Sequence, residues 1–252
     1  MVIPMRPVAT PPFVELTWDS DHFGFPVAKI VTELDDSSLN ETLANARAAG
    51  IRLVYYLSSE DHPVPPAFLR EFSGLLVDRR VTYGKAGLDE ADPLLASSWS
   101  IGEFPRVPPT KELLELAVAA GASSRFAVDS RISRSKSVEL YESWMRQSSL
   151  GEMADCVLGA FEAGPFSPCL GMITLAFAED EARIGLIAVQ AKARGKGIGL
   201  ALMHAAHRKM VEGGICRAVV FTQLANVPAC RLYERCGYRV WNLQNYYHFW
   251  LE

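Results

Sequence analysis

Hydrophobic residues recur along this chain with two different periods, and these periods predict alternating strands and helices. The first third predicts strands and one helix, in the order "FVELTWDSDHFGFPVAKI" (strand, turn, strand), "SLNETLANARAAG" (helix), "IRLVYYLS" (strand) and "LLVDRRVTYGK" (strand). Gly50 marks the end of the helix. From about Asp89 to Pro109 the periodicity is lost and Pro, Ser and Gly accumulate, which is typical of a linker.

The second half predicts a layered arrangement of helices and strands. Its segments are two helices, "TKELLELAVAAGA" and "SKSVELYESWMRQSS", three strands at about 156–162, 170–178 and 183–189, a glycine-led helix, the strand "RAVVFTQ", the short helix "VPACRLYERCG" and the strand "YYHFWLE". Thr110 is placed to cap the first helix. This order predicts an α/β or α+β layered fold. We expect a smaller α/β domain over residues 1–95 and a second domain over 96–252.

Composition narrows the classes of function. The 252 residues are 49% hydrophobic and carry a net charge of −4, which favours a globular core and argues against a nucleic-acid partner. The longest apolar run, "LGMITLAFA", falls short of the ~20 residues of a bilayer span, so we expect a cytoplasmic protein without a membrane partner. Five cysteines without a C-x-x-C pair fit neither a disulfide framework nor a zinc site, and no metal is expected.

A basic, glycine-rich turn precedes the glycine-led helix and follows the strand "RIGLIAV". The turn, Arg194-Gly195-Lys196-Gly197-Ile198-Gly199, matches neither the Rossmann fingerprint nor the P-loop. Glycines allow a phosphate to approach the backbone N–H groups, and the helix N-terminus adds partial positive charge. A pyrophosphate site is therefore one interpretation, and by composition alone a surface turn with incidental charge fits equally well.

A second motif follows in the short helix "LANVPACRLYERCGYRV". Helical spacing places Asn226, Ala229 and Tyr233 on one face. A phenol with a pKa near 10 stays protonated at neutral pH and can act as a proton donor. The alternative for Tyr233 is a core aromatic residue whose hydroxyl is satisfied.

Together the two motifs resemble the signature of the GCN5-related N-acetyltransferase (GNAT) family. This resemblance implies a fold with a mixed central sheet, acetyl-CoA as co-substrate, and Tyr233 as general acid. It implies a cofactor site made of Ile187, Ala188, Val189, Arg194, Gly195, Lys196, Gly197, Ile198, Gly199, Asn226 and Ala229. Pyrophosphate would lie on the turn and pantetheine along the preceding strand, which in the family splays from its neighbour. Relatives often have a His-Pro-acid run upstream, where this chain has Gln190-Ala191-Lys192.

Further segments resemble bacterial TDP-fucosamine acetyltransferases, most clearly at Trp18, Phe23-Gly24, and Ser124-Arg125-Phe126. This resemblance implies an acceptor amine on a nucleotide-linked sugar and favours a homodimer. It also implies that Asp78 is the general base, acting through water, where the relatives have glutamate. A solvated surface acid is the alternative for Asp78. Arg125 is a candidate contact for acceptor phosphates or a sugar hydroxyl, and a salt-bridged structural arginine is its alternative.

The histidines offer no obvious base. His204 and His207 are predicted on or beside the solvent side of the glycine-led helix, and surface or structural positions are expected for all five. Two other functions remain open: an N-acetyltransferase for another small amine or a peptide N-terminus, and a non-catalytic acyl-CoA sensor.

Overall fold

The computed structural model describes residues 12–88, 99–162 and 167–251, and the chain forms two compact units. The first unit consists of Met1–Val77 and Gln244–Glu252, and the second of Asp78–Leu243. This division differs from the predicted one because the final strand returns to the first unit. The predicted boundary at residue 95 lies outside the described residues.

The first unit is a small α/β unit. Its elements are β1 (Phe13–Glu15), α1 (Thr17–Phe23), β2 (Val27–Ile30), α2 (Asp36–Ala48), β3 (Leu53–Ser59), α3 (Pro66–Glu71) and the end of β10 (Arg239–Trp250). The strands lie in the order β1-β2-β3-β10, with only β2 and β3 parallel. Tyr56, Phe72 and Phe249 are fully or almost fully buried in its core.

One predicted turn in this unit is a helix. The prediction of a turn between the first two strands was wrong, because α1 occupies it and ends at Gly24 in the left-handed conformation. The Ser20 hydroxyl accepts a hydrogen bond from the Val27 N–H at 2.9 Å, which fixes the helix against the next strand. Asp35 caps α2 by accepting from Ser38 N–H.

The second unit contains the remaining elements. They are β4 (Gly74–Ala86, entering from the first unit), β5 (Ser100–Glu103), α4 (Lys111–Ala120), α5 (Arg125–Val128), α6 (Arg134–Leu150), β6 (Cys156–Phe161), β7 (Gly171–Phe177), β8 (Glu181–Val189), α7 (Ile198–Glu212), β9 (Arg217–Gln223) and α8 (Val227–Arg235). The strands lie in the order β4-β9-β8-β7-β6-β5, antiparallel except for the parallel pair β8 and β9. The predicted mixed sheet is confirmed, and β5 is an additional strand within the predicted linker.

Helices cover both faces of this sheet. On the face that we call the α7 face, Leu202 and Tyr233 pack with strand residues such as Ile173. On the opposite face, the α6 face, Leu113 of α4 and Met145 of α6 pack with Met172 and other strand residues. Because neighbouring strand residues point to opposite faces, the sequence position of a strand residue decides which helices it contacts.

Candidate active site

Two parallel strands separate in the middle of the second unit's sheet. Residues 181–184 of β8 pair with residues 217–220 of β9, and the last pair joins Ile184 and Val220. Beyond it, β8 continues along β7, whereas Phe221–Gln223 pair with β4. The separation leaves a V-shaped gap between Gly185–Val189 and Phe221–Gln223.

A β-bulge lies where the separation begins. Ile187 pairs with Ile173 and Ile184 with Leu175, so two residues of β8 oppose the single residue Thr174. The Leu186 N–H donates to Thr174 Oγ1 at 2.8 Å instead of to a carbonyl. Bulges bend a strand and increase its local twist, which accounts for the departure of β8 from β9.

Hydrogen bonds to β7 show which main-chain groups of β8 face the gap. Gln190 N–H donates to Leu170 O at 2.8 Å, and Leu186 N–H also points toward β7. Because inward and outward groups alternate in an antiparallel ladder, the main-chain groups of Ile187 and Val189 point into the gap. Those of Ala188 point toward β7, and its side chain is buried on the α6 face.

The predicted basic turn connects this strand to α7. Gly195 and Gly197 have φ angles of 77° and 81° in the left-handed region, where residues with a side chain are strained. A Cβ atom at either glycine would meet nothing within 4 Å, so conformation, and not space, requires glycine there. Arg194 is exposed, and its Nε donates to Val189 O at 3.1 Å, which anchors the turn to β8.

The N-terminus of α7 has no side-chain cap. Four other helices are capped by a side chain that accepts a backbone hydrogen bond, namely α2 by Asp35, α4 by Thr110, α6 by Ser133 and α8 by Asn226. At α7 the N-cap residue is Gly197, and the first backbone bond into the helix is from Ala201 N–H to Gly197 O at 3.0 Å. Within the described chain, the N–H groups of residues 195–200 therefore have no acceptor.

These donors fit a pyrophosphate. Consecutive N–H groups, the positive end of the α7 dipole and the exposed Lys196 combine at one place. Gly199 contributes differently, because a Cβ there would lie 3.2 Å from Leu232 Cδ2 of α8, so glycine allows the two helices to pack closely. The predicted residues 194–199 thus lie together on one surface whose free N–H groups and positive charges suit an anion.

Trp99 supports the turn and was not identified from the sequence. Its Nε1–H donates to Lys196 O at 2.9 Å. Trp99 comes directly before β5, in the stretch where the absence of periodicity predicted only a linker. A tryptophan is unusual in a linker, and its indole N–H needs a hydrogen-bond partner. This was the signal in the sequence that could have identified Trp99 as a residue with a structural contact.

We expect Trp99→Phe to raise the Kd of acetyl-CoA by about three- to tenfold, because the turn loses one neutral hydrogen bond worth about 1 kcal/mol. The turnover number should stay within about twofold, because no reacting group is touched. Calorimetric titration and initial rates measure the two quantities separately. A fall in turnover with unchanged affinity would contradict this positioning role.

Tyr233 lies on α8 with its ring in the core of the α7 face and is 2% exposed. Its ring centroid is 5.7 Å from that of Tyr83 and 6.1 Å from that of Tyr238. Burial raises the pKa of Tyr233, with smaller contributions from Cys230 and Cys236. The phenol therefore stays protonated, and its hydroxyl has no hydrogen-bond partner among the described residues.

Asn226 is the N-cap of α8 and lies at the mouth of the gap. Its N–H donates to Gln223 O at 2.9 Å, and its Oδ1 accepts from Ala229 N–H at 3.4 Å. Asn226 is the N-cap, one residue before the helix, and its carbonyl accepts from Cys230 N–H at 3.0 Å, so its place on the helix face of Tyr233 stays a prediction. Capping uses the Asn226 oxygen and leaves its side-chain NH₂ for another acceptor.

Asp78 and Arg125, predicted separately, lie within electrostatic range of each other in the second unit. Burial raises the pKa of Asp78 to about 6, and the nearby Arg125 and Arg80 guanidinium groups oppose that rise. Asp78 is half-buried, so the alternative of a fully solvated surface acid does not hold. Leu224 N–H donates to Arg79 O at 2.8 Å, which places this end of β4 beside the loop between β9 and α8.

Arg125 is held by aromatic packing. Its guanidinium carbon lies 3.9 Å from the centroid of the Phe126 ring. Tyr141 of α6 lies within electrostatic range of both Arg125 and Asp78, and burial raises the pKa of Tyr141. Asp78 of β4, Arg125 of α5 and Tyr141 of α6 thus form one polar group.

The expected solvent-side position of His207 was wrong. The His207 side chain is 3% exposed, and its Nε2 lies 3.0 Å from the Tyr238 hydroxyl on the α7 face. His248, in β10 of the first unit, is fully buried. Both side chains are buried, so a surface position is excluded for these two histidines, and a structural role stays the expectation.

Residues 130–238 match the model of the acetyltransferase (GNAT) family. The chain contains a GNAT acetyltransferase domain. The match includes the separating strands, the basic turn, α7 and α8, and it ends at Tyr238, so it covers the cofactor site that the sequence predicts.

Other proteins resemble the chain beyond the GNAT domain. The spore coat polysaccharide biosynthesis protein SpsD of Bacillus subtilis is 29% identical over an alignment of 149 residues, which covers 56% of this chain and 47% of that protein. The chain thus spans about half the length of this curated relative. A GNAT from Sphaerobacter thermophilus superposes with a TM-score of 0.61 at 16% identity, covering 95% of this chain and 76% of the other. A GNAT from Kribbella flavida gives 0.57 at 17% identity, covering 97% and 89%. Both structures share the fold.

Among residues 12–88, 99–162 and 167–251, no helix is long and apolar enough to cross a bilayer. Over the same ranges, no three His, Cys, Asp or Glu side chains are grouped as metal ligands.

Proposed function

We propose that this protein is an N-acetyltransferase that transfers the acetyl group of acetyl-CoA directly to an amino group on a nucleotide-linked sugar of the TDP-4-amino-4,6-dideoxyhexose type. GNAT enzymes use acetyl-CoA and act on small-molecule amines. The observation that carries the proposal is the uncapped N-terminus of α7 next to the gap between β8 and β9. The expected homodimer stays a prediction, and the molar mass from light scattering would test it.

The turn and the gap would hold the two halves of coenzyme A. The N–H groups of residues 195–200 would donate to the pyrophosphate, and Arg194 and Lys196 would add charge. The main-chain groups of Ile187 and Val189 would hydrogen-bond the pantetheine amides in the gap, in the manner of an added strand. Asn226 and Ala229, at the start of α8, border the same gap.

Tyr233 would protonate the sulfur that leaves. A thiol resembling cysteine has a pKa near 8.5, and a phenol with a raised pKa remains a donor throughout the neutral range. A positioned general acid contributes ~10²–10⁴-fold to the rate. The absence of another partner for the hydroxyl among the described residues supports this role.

Asp78 would remove the proton of the attacking amine through a water molecule. With a pKa of about 6 it is mostly ionised at pH 7.5, yet it is more basic than an ordinary aspartate. Asp78 lies by the α6 face, whereas Tyr233 lies on the α7 face. Because the gap opens the sheet between the two faces, base and acid can act from opposite sides of one bound thioester.

The acceptor is suggested by two resemblances. SpsD is named as a polysaccharide biosynthesis protein, which is compatible with a sugar acceptor. The resemblance to TDP-fucosamine acetyltransferases points to the same class. A screen of the purified protein with acetyl-CoA against TDP-amino sugars, polyamines and peptides tests the acceptor, and turnover of peptides alone would exclude the sugar.

The pH dependence of the rate tests the role of Asp78. Because its carboxylate is the active form, kcat/KM should rise with pH through an apparent pKa of about 6. Arg125 favours the ionised form of Asp78, so Arg125→Gln should shift the rise of kcat/KM to higher pH. Asp78→Asn should abolish this rise. The pH–rate profiles of the three proteins, with acceptor below its KM, measure the effect. If kcat/KM of Asp78→Asn still rises with pH as in the wild-type protein, another residue is the base.

A further inference from the structure

An exposed aromatic ring lies close to two arginines where the gap begins. Phe221 is the first residue of β9 beyond its last pair with β8, and it remains 38% exposed. The guanidinium carbon of Arg80, from β4, lies 5.1 Å from the ring centroid. That of Arg183, from β8, lies 5.5 Å from it. Three strands therefore contribute one side chain each to this group.

The three side chains share the α6 face. Their neighbours Val81, Ile184 and Val220 are buried in the core of the α7 face, so strand alternation directs Arg80, Arg183 and Phe221 to the opposite side. Asp78, the proposed base, lies within electrostatic range of Arg80. The group thus borders the side from which the acceptor would reach the thioester.

The charge of this group differs from that of the chain as a whole. The chain carries a net charge of −4, yet two guanidinium groups approach one ring here. Arg183 is exposed, and no carboxylate of the described residues lies within 4 Å of it. Guanidinium groups bind phosphate in a bidentate manner, and an exposed ring offers a stacking surface for a planar base.

We propose that Arg80, Arg183 and Phe221 form a subsite for the diphosphate and adjoining base of a nucleotide-linked acceptor. This inference rests on the proposed function and extends it, because it makes the diphosphate a requirement of recognition. The two guanidinium groups would bind phosphate oxygens, and the base would pack on Phe221. A free amino sugar would then be a poor acceptor.

Titration of the full-length protein, saturated with CoA, tests the subsite with TDP, UDP and inorganic pyrophosphate as probes. We expect wild-type protein to bind all three probes without displacing CoA. Arg183→Gln should weaken each by about tenfold or more, because charge-assisted bonds to phosphate are lost. Phe221→Leu should weaken TDP and UDP but not pyrophosphate. The control, Arg208→Gln on the exposed side of α7, should leave all three within about twofold.

The outcomes separate this inference from the proposed function. If wild-type protein binds CoA but none of the three probes, the subsite is wrong while the cofactor site stands. Equal effects of Arg183→Gln and Arg208→Gln, or displacement of CoA by the probes, would also overturn the subsite. If wild-type protein fails to bind CoA in the preliminary titration, the proposed function itself fails.

Discussion

Replacing Tyr233 with Phe should lower the turnover number by about 10²–10⁴-fold and leave the Kd of acetyl-CoA within about threefold. The ring that packs against Tyr83 and Tyr238 is retained, and no hydrogen bond to a described residue is lost. Under the proposed mechanism, the substitution removes only the proton donor for the departing sulfur. Initial rates with saturating acceptor give the turnover number, and calorimetric titration gives the affinity.

Tyr238→Phe is the matched control, because it removes a hydroxyl from a neighbouring ring in the same core. That hydroxyl lies 3.0 Å from His207 Nε2, so its loss should cost about 1 kcal/mol of stability and change turnover by less than about threefold. Equal losses of turnover in both variants would mean that Tyr233 is only a packing residue. If the wild-type protein binds acetyl-CoA without turnover, and Tyr233→Phe changes neither binding nor rate, the protein is the acyl-CoA sensor.

Replacing Gly197 with Asp should weaken acetyl-CoA binding by about 100-fold or more. The new carboxylate would lie at the N-terminus of α7 and compete with the pyrophosphate for the same N–H groups. At ~5 Å and an effective dielectric constant of ~20, each pair of like charges costs about 3 kcal/mol, which is about 100-fold in Kd. A Cβ at this position meets no atom within 4 Å, so the change is electrostatic and conformational.

Gly197→Asn is the control for conformation. Asn and Asp have the same shape and both tolerate the left-handed region better than most residues. Asn should therefore share the backbone effect but weaken binding by only about tenfold or less. Thermal unfolding of both variants without ligand checks that the fold is kept. If Asp and Asn weaken binding equally, the phosphates do not lie at α7.

Local features of the fold could be predicted from the sequence, and long-range ones could not. The turn at residues 194–199 is recognisable because its glycines, charges and following helix are contiguous. The cap of α4 by Thr110 is equally local and is confirmed. The family resemblance implied that β8 separates from its neighbour. The site of separation depends on the bulge opposite Thr174, which the sequence does not reveal, because the pattern of "ARIGLIAV" predicts an uninterrupted strand.

Residues that act through distant partners were missed or misplaced. Trp99 reaches Lys196 across 97 positions of sequence, which no local pattern reveals. His207 is buried because Tyr238 supplies a partner for its ring, and a helical pattern alone placed it toward solvent. Asp78 and Arg125 were proposed from separate segments, and only folding brings their charges together.

A crystal structure of the complex with coenzyme A tests the central claim most directly. We predict pyrophosphate oxygens within 3.2 Å of main-chain nitrogens between residues 195 and 200, and pantetheine between Ile187 or Val189 and the end of β9. The sulfur should lie within hydrogen-bonding reach of the Tyr233 hydroxyl. Phosphates bound away from α7, or a sulfur directed away from Tyr233, would contradict the account.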